Sequence, residues 1–565
     1  MSKALVLAEK PSVGRDIARV LNCKKKANGY FEGNKYIVTW ALGHLVTLSE
    51  PERYDKRYKE WRLEDLPILP QRMKLQVIPQ TRKQFNTVKS LLERNDVQQI
   101  IIATDAGREG ELVARWILDM VSVKKPIKRL WISSVTDGAI RQGFQKLKDG
   151  RETYSLYQSA KARAIADWMV GINATRALTT KFNAQLSCGR VQTPTLHLVK
   201  MREDAIRNFK PKTYYQLNVN THNIKFTWVN SKNQTQIFNE KTVNQLYNKV
   251  NGKEAKVVDI RKKESHIPSP LLYDLTELQR EANERFGFSA KKTLNIAQAL
   301  YERHKVLTYP RTDSRYLSSD ILPTIKERLH AVKTRDNEHL IDPLLKQTIN
   351  KNKRYFNDQK VSDHHAIIPT EEKPNYLRLT NDERLIYDLV VHRFISMLMP
   401  TQIVETTTIT LSISGETFKG QFDMVKRQGW KQIDSKQPIV SKNIALKTGD
   451  VIRQIKVLKV EGETKPPAYF TEATLLSAME NPRPFMKTNN QKLLSLIGES
   501  GGLGTVATRA DIIEKLLNTG LIEKRGKSIH TTMKGKQLLS LVPDAMKVFP
   551  AESWDEEELL VLAGS

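Results

Sequence analysis

The sequence predicts a multidomain protein of mixed class, with an N-terminal α/β domain followed by helical and β-rich (α+β) segments. Its 565 residues exceed what one hydrophobic core supports and are typical of about three or four domains. Residues 1–150 contain two units in which a short apolar strand leads through polar residues into a helix. Further along, two stretches with strand alternation flank a long helical region.

The composition is that of a folded and strongly basic chain. Hydrophobic residues make up 39% and charged residues 27%, and the formal net charge is +29. Such a charge attracts polyanions, so nucleic acid is the first candidate partner, although a merely basic surface has the same composition. The two cysteines, Cys23 and Cys188, form no CxxC pair, which excludes a zinc ribbon and fits a reducing cytoplasm. We expect no signal peptide and no membrane-spanning segment.

Each of the two N-terminal units ends in acidic residues. Residues 4–8 form a continuous apolar run followed by Glu9, and residues 100–103 form another, followed by Asp105 and Glu109. Because the carboxyl ends of parallel strands meet at one edge of a sheet, we expect these carboxylates to converge there. Hard carboxylate oxygens suit Mg²⁺. The alternative is that each carboxylate simply begins a solvated helix.

The region after residue 150 is helical, from about residue 154 to residue 178, and lies in a basic stretch. Its polar and aromatic residues are able to contact phosphates and stack on bases. A tryptophan is more often part of a core, so both interpretations stay open. The candidates are Trp61, Trp168, Arg176, Ser187, Gly189, Arg190 and Gln192.

Strand alternation occurs at residues 214–229 and returns at residues 409–424, on either side of a helical region at residues 272–332. This order predicts a discontinuous β domain with a helical domain inserted into it. The last stretch, from about residue 469, is predicted to be helical.

The inserted region carries the segment on which the chemistry depends, residues 308–314. Tyr309 alone is a poor nucleophile, because a phenol loses its proton only near pH ~10. Beside a fixed Arg311 and a bound cation, its oxygen is able to attack a phosphodiester while the neighbours hold the developing charge. A tyrosine at the start of an ordinary loop is the alternative.

Several blocks of this sequence together resemble one family, the type IA DNA topoisomerases, most closely their bacterial topoisomerase III branch. The blocks occur in the family's order and reach to about residue 545. They are residues 7–12, 40–45, 103–111, 189–194, 308–314, 364–369 and 504–511. The resemblance implies a TOPRIM α/β domain at the N-terminus and a toroidal core of four domains, with a discontinuous β-rich arch, that closes over DNA.

The same resemblance implies a division of the chain. The expected domains are a TOPRIM domain with the metal site at 1–150, a helical DNA-binding gate domain at 151–211 and 460–565, a β-rich arch at 212–270 and 376–459, and a helical domain with the catalytic tyrosine at 271–375. The chain after Val548 does not resemble the family, so we expect the C-terminal end to be truncated or altered.

The resemblance also implies catalytic roles. Tyr309 is expected to cut a single-stranded segment and to stay attached to its 5′ phosphate. Glu9 is expected to ligate the metal and to handle the proton of the leaving 3′ oxygen. Lys10 and Arg311 are expected to stabilise the phosphate, and His364 to donate a hydrogen bond to it.

By the same resemblance Glu9, Asp105 and Glu109 are the ligands of Mg²⁺. The family's Asp-x-Asp-x-Glu pattern has Gly107 in place of its second aspartate here, which leaves the number of bound ions open. The positions expected to touch DNA are Trp61, Trp168, Arg176, Ser187, Cys188, Gly189, Arg190, Val191, Gln192 and Arg311.

The function implied is an ATP-independent topoisomerase that relaxes negative supercoils and decatenates DNA. No ATP is needed, since the phosphotyrosine link conserves the energy of the broken bond. In agreement with this, the Gly526-Lys527-Ser528 tripeptide lacks the earlier glycine that a phosphate-binding loop requires. The alternatives are a topoisomerase I-like relaxing enzyme, a TOPRIM nuclease or primase, and a DNA-binding protein whose altered end impairs catalysis. We expect a monomeric cytoplasmic protein at the nucleoid, with a helicase or single-strand-binding protein as partner.

Overall fold

The computed structural model describes residues 2–547, except 184–185, 362, 435–445 and 486–501. The altered end expected after Val548 lies outside these residues. In the part of the chain that is described, no helix is long and apolar enough to cross a membrane.

The N-terminal region is built on a seven-stranded sheet. Its strands and those of a separate two-stranded sheet (β5 and β6) are β1 (Lys3–Ala8), β2 (Lys25–Ala27), β3 (Tyr30–Glu32), β4 (Tyr36–Trp40), β5 (Val46–Leu48), β6 (Leu75–Val77), β7 (Val97–Ala103), β8 (Ile127–Arg129) and β9 (Lys148–Asp149). The order is β2-β3-β4-β1-β7-β8-β9, and β1 runs parallel to both β4 and β7. The parallel pairing predicted from the apolar runs is therefore present at the centre of a mixed sheet, whose outer strands pair antiparallel.

Helices cover both faces of this sheet. They are α1 (Pro11–Val20), α2 (Arg82–Leu92), α3 (Arg108–Val121) and α4 (Asp137–Gln145). Because side chains alternate along a strand, Leu5 and Leu7 of β1 face α2 and α3, whereas Val6 and Ala8 face α1 and α4. The core on the second face also contains Tyr309, which comes from a distant part of the chain.

A single long helix, α5 (Tyr154–Phe182), leaves the N-terminal region. Its first half packs Tyr157 and Ala160 into the core beside α3. Its second half packs Leu178 into another core, together with α6 (Gln192–Arg207) and the last described helices.

A second seven-stranded sheet, antiparallel throughout, is formed from two separate parts of the chain. Its strands, with one accompanying helix, are β10 (Thr213–Thr221), β11 (Ile224–Trp228), α7 (Glu240–Val250), β12 (Ala255–Ile267), β13 (Gln402–Ile413), β14 (Glu416–Arg427), β15 (Val451–Ile452) and β16 (Val457–Glu463). The order is β15-β12-β13-β14-β11-β10-β16. The helical unit leaves this sheet after β12 and returns at β13, as the flanking strand patterns predicted.

The inserted unit contains α8 (Leu275–Phe286), α9 (Ala290–Glu302), α10 (Ile325–Val332), α11 (Glu338–Lys346) and α12 (Asn381–Leu398). Ile386, Tyr387 and Phe394 of α12 are fully buried in the same core as α8 to α11. The packed unit therefore runs to residue 398, past the boundary expected at residue 375.

The last described region holds α13 (Glu472–Glu480), α14 (Arg509–Asn518) and α15 (Met533–Leu541), with a hairpin of β17 (Ile522–Arg525) and β18 (Ser528–Thr531). The sequence pattern predicted only helices here. The hairpin forms because Gly526 takes up a positive φ of 62° at the turn, while Ile522 and Ile529 turn into the core.

Candidate functional site

The tyrosine segment of the inserted unit lies against the N-terminal sheet. Tyr309 is only 7% exposed, and its backbone N–H donates to the carbonyl of Ser133 at 2.8 Å. Its ring lies edge-on to Tyr301, with 5.4 Å between centroids, and 4.2 Å from the ring of His364. The side chain is thus held at the carboxyl edge of the parallel strands.

Two acidic side chains meet at this edge, one after β1 and one after β7. The backbone N–H of Asp105 donates to Oε2 of Glu9 at 3.0 Å. Burial raises the pKa of Glu9, and burial together with the Glu9 charge raises the pKa of Asp105 to about 8. Two carboxyl groups in one buried site do not both ionise unless a cation joins them.

The cations expected to hold a phosphate are also at this site. Nζ of Lys10 lies 2.5 Å from Oε1 of Glu302, so in this arrangement it is paired. Nε of Arg311 is buried and has no hydrogen-bond partner among the described residues. The charge of Arg311 opposes the raised pKa of both Glu9 and Asp105. The guanidinium is therefore in place to receive an anion.

Tyr309 itself is neutral in this arrangement. Burial raises its pKa well above the ordinary value, and the charges of Asp105 and Glu9 add to the effect, while Arg311 opposes it. A phenol in such surroundings becomes a nucleophile only when more positive charge arrives.

His364 is fixed by two hydrogen bonds. Burial lowers its pKa to about 3, so the ring is neutral. Its Nε2 contacts the carbonyl oxygen of Ala106, which only accepts, so the ring hydrogen is on Nε2. Nδ1 then accepts from the hydroxyl of Ser133 at 2.9 Å, and the ring stacks on Trp131. Once Nε2 leaves Ala106, it can donate to a phosphate oxygen.

Glu109, the third expected metal ligand, contacts His44 and not Glu9 or Asp105 in the part of the chain that is described. Its side chain is 49% exposed, and its Oε2 is 4.0 Å from Nε2 of His44. Within the described ranges, no three His, Cys, Asp or Glu side chains lie close enough together to hold a metal ion.

A buried network of ion pairs, which no motif in the sequence indicated, packs against the backbone of the site. Glu111 is fully buried and accepts from Nε of Arg115 at 2.7 Å and from Nε of Arg129 at 2.5 Å. Arg129 also donates to the carbonyl of Asp105 at 2.7 Å. The network therefore fixes the backbone at Asp105.

The expected DNA-contacting segment lines a cavity of about 360 Å³. At its wall the amide of Gln192 is buried, and neither its nitrogen nor its oxygen has a partner among the described residues. Nε of Arg190 lies 3.0 Å from Asp167, and Ser187 is half-buried just before the segment. The lining comprises Arg163, Asp167, Gly171, Cys188, Gly189, Arg190, Val191, Gln192, Gly504, Thr508, Asp511, Ile512 and Lys515.

Of the remaining expected contacts, only Trp61 presents a ring to solvent, at 45% exposed. The guanidinium of Arg176 lies over that ring at 5.1 Å and donates to the carbonyl of Tyr58 at 2.7 Å. Trp168 donates from Nε1 to the carbonyl of Ser49 at 3.1 Å and packs on the N-terminal core. Arg176 and Trp168 thus make contacts within the protein, Trp61 presents an exposed ring, and the DNA contacts of all three stay predictions.

Comparison with known proteins identifies the family to which the chain belongs. The profile of the family described as "DNA topoisomerase" matches residues 151–554, and that of the "Toprim domain" matches residues 4–135. The protein named "DNA topoisomerase 3" of Bacillus subtilis (strain 168) is 55% identical over 575 residues, covering 100% of this chain and 79% of that protein. Its namesake in Bacillus licheniformis is 57% identical, covering 97% of this chain and 76% of that protein.

A solved structure shares the fold. Full-length topoisomerase I from Thermotoga maritima matches with a TM-score of 0.71 and 24% identity, covering 99% of this chain and 86% of that one. The fold class expected from the sequence is confirmed by this likeness. The family profiles and the identity over the whole chain confirm the resemblance, so the chain belongs to the type IA DNA topoisomerases and begins with a Toprim domain.

Proposed function

We propose that Tyr309 cuts one DNA strand, remains linked to the 5′ phosphate while another strand passes, and then religates the break without ATP. The observation that carries this proposal is the placement of its ring at the edge where Glu9 and Asp105 meet, in reach of the charge of Arg311. In cleavage, the bond from the phenol oxygen to phosphorus forms as the bond from phosphorus to the 3′ oxygen breaks. The phenol proton goes to water, and the 3′ oxygen takes a proton.

Each neighbour has a role in that exchange. Burial raises the pKa of Glu9, which favours its protonated form and suits it to give a proton to the leaving 3′ oxygen. Arg311 and Lys10 place positive charge at the scissile phosphate, Lys10 after leaving Glu302. His364 donates from Nε2 after leaving the carbonyl of Ala106. These groups act as one unit only when the inserted unit is docked on the Toprim domain.

The Toprim domain binds a divalent metal, and we propose that the ion is Mg²⁺. Glu9 and Asp105 fit it, since they offer hard oxygens in a buried pair whose pKa values stay raised although Lys10 and Arg311 oppose the shift. Bound there, the ion supplies positive charge that favours the ionised phenol and the developing phosphate charge. Glu109 requires a change of side-chain conformation to join the pair.

We propose topoisomerase III-like specificity, that is, decatenation as well as relaxation of negative supercoils. As a topoisomerase the protein binds DNA, and the cavity beside Gln192 offers a buried polar group to a single-stranded segment. A helicase or single-strand-binding partner, the monomeric state and a cytoplasmic, nucleoid-associated location stay predictions.

A cleavage trap tests the proposal. A single-stranded oligonucleotide labelled at one end or the other is mixed with protein and Mg²⁺, quenched with denaturant, and scored for label that travels with protein. We expect the 3′-end label to be retained and the 5′-end label to leave. Tyr309→Phe should abolish retention, whereas Tyr316→Phe, seven residues further along the chain, should keep it. Retention of the 5′-end label, or a covalent product with Tyr309→Phe, would overturn the proposal.

A further inference from the structure

Gly107 leaves an open space where the family's pattern carries its second aspartate. Its backbone is extended, with a φ of 162°, so any residue could stand there. A Cβ built on Gly107 would meet a single described side-chain atom within 4 Å, namely Oδ2 of Asp363 at 3.9 Å. The carboxylate of Asp363 therefore borders the space into which a side chain at position 107 would extend.

The backbone of Asp363 is fixed to the Toprim domain at this point. Nε1 of Trp131 donates to the carbonyl of Asp363 at 3.0 Å. The next residue, His364, donates to the carbonyl of Ala106, which directly precedes Gly107. Two contacts thus hold this segment of the inserted unit beside Ala106 and Gly107.

Asp363 also shares its electrostatic surroundings with the proposed metal ligands. The buried Arg129 interacts electrostatically with the carboxylates of Glu9, Asp105 and Asp363. Burial raises the pKa of Asp363, Asp313 adds to the effect, and Arg108, Lys148 and Arg129 oppose it. A further cation close to this half-buried carboxylate would stabilise its ionised form.

We propose that Asp363 supplies, from the tyrosine-bearing unit, the carboxylate that Gly107 lacks in the divalent-metal site of Glu9 and Asp105. The inference rests on the proposed metal role of Glu9 and Asp105. Because no three acidic side chains converge among the described residues, binding of one ion by all three carboxylates requires Asp363 to turn toward Asp105. The ion then joins the two units, so it binds most tightly when they are docked.

Binding of Mn²⁺ to the full chain without DNA tests this, with the free ion measured by electron paramagnetic resonance. Asp363→Asn should weaken binding about tenfold or more, since affinity follows the number of charged ligands. The matched control is Glu372→Gln, which removes the same charge from an exposed side chain nearby and should bind as the parent does. Gly107→Asp combined with Asp363→Asn should regain the parent's affinity, because it restores a carboxylate to the same space.

Unchanged affinity in Asp363→Asn would overturn the inference. So would a weakened Asp363→Asn whose affinity Gly107→Asp fails to restore, since the loss would then come from a disturbed structure. Asp105→Asn separates the two proposals. If it loses Mn²⁺ while Asp363→Asn keeps it, the inference fails and the proposed site stands, whereas if Asp105→Asn also keeps Mn²⁺, both fail.

Discussion

Replacing Glu111 by glutamine should loosen the Toprim domain, because the carboxylate is the one acceptor that two buried arginines share. The bonds from Arg115 and Arg129 measure 2.7 and 2.5 Å, and Glu111 and Arg129 are fully buried. A hydrogen bond to a charged group contributes about 1.5–3 kcal/mol. Glutamine keeps one acceptor but removes the buried counter-charge that Arg115 and Arg129 share, so the loss should be about 3–4 kcal/mol.

Amide hydrogen exchange followed by mass spectrometry measures this locally, on peptides that cover β7 and α3. A loss of about 3 kcal/mol corresponds to roughly a hundredfold larger opening equilibrium, since each 1.4 kcal/mol is about a factor of ten. Glu109→Gln, two residues earlier and half-exposed, should stay within about 0.5 kcal/mol of the parent. Parent-like exchange in Glu111→Gln would refute the view that the buried network holds the domain together.

Three further predictions concern charge and burial. Gln192→Leu should raise stability slightly, because it removes a buried amide that has no hydrogen-bond partner among the described residues. The same change should weaken binding of a single-stranded oligonucleotide by about 1 kcal/mol, roughly fivefold. Thermal melting measures the stability and fluorescence anisotropy the affinity, and a decrease in both would contradict this prediction. Arg94 and Lys3 lower the pKa of Glu32 to about 2. The parent should therefore be more stable than Glu32→Gln by the full amount above about pH 5, and this advantage should shrink as the pH falls toward 2. A difference in urea midpoints that does not change with pH would contradict this prediction. Affinity for single strands should fall with salt at a log–log slope of about −0.7 per phosphate contact, and a flat titration would contradict a basic DNA interface.

Much of the fold follows from local patterns. The apolar runs before Glu9 and Asp105 predicted the parallel strands, and strand ends of one sheet necessarily meet, so the two carboxyl groups are adjacent. The alternation around residues 214–229 and 409–424 likewise predicted the two parts of the antiparallel sheet. Periodicity of this kind is visible in sequence because burial selects for it.

The rest depends on direction and distance, which a local pattern does not contain. Glu109 and Glu111 stand two positions apart on α3 and so point to different sides of the helix, one toward solvent and one toward buried arginines. Trp168 packs partly buried against the N-terminal core, which no local pattern shows because its hydrogen-bond partner, Ser49, is far away in sequence. Arg129 had no motif at all, and only its burial reveals its importance.

Helix α5 has a mechanical consequence. Its 29 residues span about 43 Å without a break, with one end anchored by Tyr157 in the Toprim core and the other by Leu178 among the last described helices. A continuous helix clamped at both ends behaves as a stiff beam, so these two regions keep their relative orientation. Movement of the antiparallel sheet relative to these two regions would therefore bend the irregular connections at residues 208–212 and 464–471, where the chain enters and leaves that sheet.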